Sequence, residues 1–223
     1  IRVPEGCPTM NQAMDLAVVF SDRNECTRVN PVKIVVGEGE HEMVGVAAAA
    51  PLHGSLTHVC CNNITIIGKG KGKTTILGGF YMNGKQNVKI EQLSATNQTG
   101  RGYGLICKGN GTNVDVTECC FKKSPKSGMY VREGATVTAT RCDFMEYVGF
   151  GVCCQNANTK VRLNDCTMHH NGYHGLRAVD QAVVDLHGTK TGIHSNNRNG
   201  IYAYTYAKVN IHLPSQHNTT HDN

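Results

Sequence analysis

The chain has 223 residues, 39% of them hydrophobic, so it can build one continuous core. No window approaches the roughly 20 apolar residues of a membrane-spanning helix, and no membrane partner is expected. The 22 Lys and Arg against 17 Asp and Glu leave a formal charge of +5. The basic residues form no run beyond Lys69, Lys71, Lys73 and Lys122, Lys123, Lys126, which argues against nucleic acid as a partner.

Residues 8–20 come first in chain order. Met10, Ala13, Met14, Ala17 and Val18 keep helical spacing, and Thr9 suits the N-cap. This helix, within an N-terminal cap of residues 1–31, is expected to cover the open end of the core that follows. Two apolar segments come next, residues 32–36 (VKIVV, then GEGEH) and 64–67 (ITII, then GKG). From there the chain repeats. The pairs Gly104-Leu105, Gly128-Met129, Gly151-Val152, Gly175-Leu176 and Gly200-Ile201 recur at steps of 24, 23, 24 and 25 residues. A fixed period of this length marks a solenoid.

Other columns keep the same period. Val88/Ile90, Val114/Val116, Val137/Ala139, Val161/Leu163 and Val184/Leu186 alternate with polar residues ahead of each glycine. Leu93, Cys119, Cys142, Cys166 and Thr189 follow, and then Ala95, Phe121, Phe144, Met168 and Thr191. Period-two alternation predicts strands with one buried face, separated here by Gly/Asn turns. The predicted fold is all-β, a right-handed parallel β-helix over residues 32–213 with about 24 residues per coil and one short capping helix. Residues 214–223 are polar, either a tail or the start of a truncated coil. With no closing helix, either the polar tail folds over the last coil or the chain is a fragment of a longer protein, and the absence of an initial Met favours an excised or processed piece.

Cys119, Cys142 and Cys166 fall in one column and Cys107 and Cys154 in another, which predicts ladders of reduced thiols packed as small apolar groups. Cys60-Cys61, Cys119-Cys120 and Cys153-Cys154 are adjacent and lack the spacing of a zinc site, so no metal is expected. Cys7 and Cys26, flanking the helix, are the pair best placed for a disulfide. Buried thiols point to an intracellular protein, whereas sequons at Asn63, Asn97, Asn110 and Asn218 point outside the cell. The compartment stays open, as does the oligomeric state.

The order of helix, first strands and coils resembles right-handed β-helix repeat proteins of the pectin-lyase-like superfamily. That resemblance spans nearly the whole chain and implies the fold. Its members include polysaccharide lyases, hydrolases and epimerases as well as recognition modules, so activity does not follow from fold.

Function has to come from outward residues. The columns Lys89, Asp115, Thr138, Arg162, Asp185 and Gln92, Glu118, Arg141, Asp165, Gly188 alternate in charge, which predicts stacked ion pairs. The strand after each glycine differs. Its outward residues and those just before it gather Tyr103, Tyr130, Arg132, Phe150, Arg177, Tyr202 and Tyr204, with Glu133 the main acid. Aromatic faces stack on sugar rings and arginine forks grip carboxylates. An anionic polysaccharide along this face is the leading expectation, with a protein ligand as the other partner class. The alternative is a lyase or epimerase of uronate-containing glycans. His174 or Tyr173 would then serve as base and Arg177 as the carboxylate clamp. A structural or protein-interaction solenoid within a longer protein is the third reading. No cofactor is expected, and no acidic cluster suggests calcium.

Overall fold

The computed structural model describes residues 1–22, 26–42, 56–98 and 102–223. Among them, three parallel sheets of nine, seven and eight strands wrap around one core. Each coil lays one strand on each sheet. In one coil Asn113–Thr117 lies on the first sheet, Cys120–Lys122 on the third and Met129–Arg132 on the second. The predicted all-β right-handed parallel β-helix is the fold observed.

The helix spans Met10–Asp22 rather than 8–20 and buries Met10, Ala13, Met14 and Ala17. Thr9 caps it, its Oγ1 accepting from the Gln12 amide at 3.3 Å. Ahead of the helix, Arg2–Val3 adds a short strand to the first sheet beside Val32–Val36. That pair was too short to stand out in the sequence.

The register is direct. Leu105 pairs with Met129, Met129 with Val152, Val152 with Leu176 and Leu176 with Ile201. Stacked side chains therefore repeat every coil, about 4.8 Å apart. Phe121 and Phe144 stack in the core, centroids 5.6 Å apart and planes at 5°. Two predicted columns need correction. Cys119, Cys142 and Cys166 are continued by Thr191, whose hydroxyl accepts from the Cys166 amide, and Phe144 and Met168 by Ile193. The coil is two residues longer there, so Thr189 is exposed.

The periodic glycines do not serve turns, and none of the five has a positive φ. A Cβ on Gly104, Gly128 or Gly151 would lie 2.5–2.7 Å from the carbonyl oxygen of the matching glycine one coil on. Close approach of coils is what requires glycine here.

The turns use other residues. Gln92, Glu118, Arg141 and Asp165 all sit at left-handed corners with φ of 51–54°, and Gly188 takes the fifth such corner. They are corner residues, not strand residues. Glu118 and Arg141 do pair at 2.9 Å. Lys89/Asp115 and Arg162/Asp185 stand in register without an ion pair among the described residues; Asp185 accepts from Asn210 instead.

The thiol ladder forms as expected. Cys119, Cys142 and Cys166 are fully buried, each Sγ 3.3 Å from the carbonyl two residues earlier. The Cys7–Cys26 disulfide does not form: all eleven cysteines are free. Cys7 packs in the core, while Cys26 lies near Cys60 and Cys61. Burial pushes the Cys61 thiol up to about 11. Of the sequons, Asn97 is 2% exposed, and its third residue, Thr99, lies outside the described residues.

A second ladder escaped the sequence reading. Asn171, Asn196 and Asn223 stack at one corner, each side-chain amide donating to the next at 2.8 and 2.7 Å. The same amides donate to Phe144, Met168 and Ile193 carbonyls, satisfying buried backbone acceptors. Asn171 is 1% exposed.

Candidate functional site

The outward columns of the second sheet are those the period predicts. Ile106, Tyr130, Cys153, Arg177 and Tyr202 share one register line. Period two aims them away from the core, but Ile106 and Cys153 are only 2% exposed. The line extends backwards to Tyr81 and His58, whose rings lie 4.8 Å apart. Tyr81 follows Gly79-Phe80, one 25-residue step before Gly104-Leu105, and His58 lies one coil earlier still, so both extend the column beyond the five glycine pairs.

Two clusters emerge. In the first, Tyr103 stacks on Tyr130 at 5.5 Å and 14°, and Arg132 lies over the Tyr130 ring at 5.4 Å. Burial pushes both tyrosine hydroxyls up. Tyr130 donates to Gln155 at 2.9 Å, and Gln155 donates to Asp180 at 3.0 Å. Arg132 is ion-paired with Glu133 at 3.1 Å. This cluster is largely satisfied within itself.

The second cluster is built by three successive coils. Phe150, His174 and Tyr202 form a stack, with His174 5.8 Å from Phe150 and 4.5 Å from Tyr202, planes within 9°. Tyr173 stands edge-on to Phe150 at 5.7 Å and is 43% exposed. Arg177 lies over Phe150 at 5.3 Å and over Tyr204 at 5.4 Å. It donates to the Tyr204 hydroxyl at 2.6 Å and to Cys153 Sγ at 3.4 Å. Burial pushes the Cys153 thiol up, against the pull of Arg177. On the other side Arg198 covers Tyr173 at 4.5 Å. Arg198 also went unnoticed in the sequence, because it stands two residues before Gly200, one position outside the column just ahead of the glycines.

Neither Arg177 nor Arg198 has a carboxylate within 4.0 Å among the described residues. Two cations without acids thus flank an aromatic platform. Tyr103, Tyr130 and Arg132 fall in one cluster and Phe150, Tyr173, His174, Arg177, Tyr202 and Tyr204 in the other, two coils along.

His174 has a defined role in this geometry. The Asn199 amide donates to its Nδ1 at 3.1 Å, so the neutral ring carries its proton on Nε2. Burial first, then Arg198 and Arg177, hold its pKa below the usual range. The ring is a neutral Nε2–H donor, 8% exposed. No cluster of three or more His, Cys, Asp or Glu among the described residues is arranged to hold a metal.

The fold and the face can now be set against known proteins. No curated protein matches the sequence. Two solved structures are similar to this chain, both epimerase modules from Azotobacter vinelandii. The A-module of mannuronan C-5 epimerase AlgE6 is 13% identical, with 86% of this chain and 74% of that one covered and a TM-score of 0.38. The A-module of AlgE4 is 10% identical, with 96% and 94% covered and a TM-score of 0.27. The sequence model of the right-handed β-helix region matches residues 63–212, well over half of the chain. With its coils, corners and ladders in agreement with that match, the chain belongs to the right-handed β-helix family.

Proposed function

We propose that this protein is a recognition scaffold that binds an extended anionic polysaccharide along its second sheet. One observation carries the reading: Arg177 and Arg198, without carboxylate partners, flank the Phe150–His174–Tyr202 stack. A guanidinium lacking an acid offers its fork to a ligand carboxylate or sulfate. The rings beside it present flat apolar faces to a sugar. His174 Nε2–H adds a neutral donor.

In the lyase or epimerase reading His174 or Tyr173 removes a proton. The His174 Nδ1 is occupied by the Asn199 amide and its Nε2 already holds a proton, which disfavours His174 as the base and leaves Tyr173 to that role.

Calorimetric titration with oligouronates and sulfated oligosaccharides tests this, with the products followed by NMR so that epimerisation is seen. Arg177→Gln and Arg198→Gln should each weaken binding about tenfold, the worth of one charge-assisted hydrogen bond. Affinity should fall with salt and no product should appear. Absence of binding by every acidic oligosaccharide would sink the proposal, and product formation would replace it with the enzyme reading.

A further inference from the structure

Eight of the eleven histidines lie between His169 and His221. Most of them are stacked. On the third sheet His169, His194 and His221 share one register line on consecutive coils, centroids 5.0 and 4.8 Å apart and planes within 10° of parallel. On the first sheet His187 and His212 stack at 4.2 Å and 4°.

Neutral imidazoles stack favourably, whereas charged ones at this spacing repel, and partial burial weakens the screening by water. His221 Nδ1 lies 2.9 Å from Asp222 and His212 Nε2 lies 3.3 Å from Asp185. Each stacks on an inner neighbour, His221 on His194 and His212 on His187. His194 faces His221 and His170 against Asp222 alone. His187 faces His212 and Arg162 against Asp185. His169 faces His170, Nδ1 to Nδ1 at 2.7 Å, and His194, against the more distant Asp143 and Glu146. Burial, then these neighbours, hold His169, His187 and His194 below the usual imidazole range. His174 faces Arg177 and Arg198 and stays neutral with them.

The coil of residues 201–221 carries both His212 and His221, and it also supplies part of the binding face. Tyr202 stacks on His174 at 4.5 Å, and Tyr204 accepts from Arg177 at 2.6 Å. On this coil Tyr206 is 86% and Ile211 50% exposed.

We infer that the two imidazole stacks make the 201–221 coil acid-labile, so that below about pH 6 the face loses Tyr202 and Tyr204 and releases its ligand. Release of a ligand rests on the anionic-glycan reading of the face; the loosening does not. The direction follows from linkage. Rings held neutral in the ordered coil take up protons when it opens. Protection is therefore complete above the free imidazole value of about 6.5 and declines as pH falls below it.

Hydrogen exchange of the whole chain at pH 7.5 and 5.5, corrected for intrinsic rates and without ligand, tests the loosening. Amides of 201–203 and 208–211 should exchange at least about tenfold faster in acid, the factor one depressed imidazole contributes per unit. Amides of 88–145 should not change. His194→Phe and His187→Phe keep a stacked ring but cannot charge; each should restore part of the lost protection and the double variant most of it. Unchanged exchange, an even loss over all coils, or Phe variants that loosen in acid like the parent would overturn the inference. In a separate arm, oligouronate binding is compared at the two pH values. Local loosening with no binding at either pH would uphold the switch while removing the glycan reading; loosening with equal binding at both would overturn ligand release.

Discussion

Replacing Gly128 with alanine is the sharpest test of why glycine repeats in this chain. The new Cβ would lie 2.5 Å from the Gly151 carbonyl oxygen, 2.7 Å from Tyr147 Cε2 and 3.2 Å from Phe144 Cδ1. Ordinary contact begins near 3.4 Å, so the next coil must retreat by 3.4 − 2.5 = 0.9 Å. It cannot do so freely, because that same carbonyl accepts from the Met129 amide at 3.0 Å. Overpacking costs about 1–3 kcal/mol and a lost backbone bond about 1, which together give roughly 3 kcal/mol. At this chain length that lowers Tm by about 10 °C. Gly192→Ala is the control: its nearest neighbour is His194 Cδ2 at 3.9 Å, and its φ is ordinary. It should be neutral or stabilise by a few tenths of a kcal/mol. Urea and thermal unfolding followed by far-UV circular dichroism read both. If the two variants unfold together, close approach of coils is not the reason for the glycines.

Three further outcomes are expected. Asn196→Leu leaves the Asn171 amide donors without their acceptor and strips the Met168 carbonyl of its donor, and should destabilise by about 3 kcal/mol in the same unfolding assay. Tyr147→Phe should be neutral or stabilise by about 1 kcal/mol. The Tyr147 ring is 2% exposed, and its hydroxyl has no hydrogen-bond partner of good geometry among the described residues. Alkylation of the native protein, counted by intact mass, should modify Cys60 quickly and Cys26 and Cys120 slowly. The other eight thiols should react only on unfolding.

The fold was legible because every coil repeats the same two physical demands, an alternating buried face and a position too crowded for a side chain. The helix was legible from Met10, Ala13, Met14 and Ala17, and its cap from Thr9. What escaped has more than one cause. A coil with extra residues moves a column, so counting placed Thr189 where Thr191 belongs, whereas Arg198 keeps its register but stands one position outside the columns read beside the glycines. Asparagine in a buried ladder and asparagine in a turn are identical in sequence, and only register distinguishes Asn171 from a loop residue. The site was half legible. Alternation supplied Tyr130, Arg177 and Tyr202, but the pairing of Arg132 with Glu133 and the proton position on His174 depend on distances between coils.

The left-handed corners have a consequence for redesign. Gln92, Glu118, Arg141 and Asp165 hold the same backbone conformation, φ 51–54°, one coil apart. Each bears a side chain where asparagine or glycine is at ease, at a cost of about 1 kcal/mol. Relief of the backbone strain should be alike at each corner and gains at alternate corners should sum, offset at Glu118 by loss of its contacts with Gln92 and Arg141. The exception is already taken: at Gly188 a Cβ would strike the Asp165 carboxylate at 2.3 Å, so that step admits only glycine while Asp165 remains. Thermostability here can be tuned by choosing how many steps of the staircase to alter, without touching the core or the ligand face.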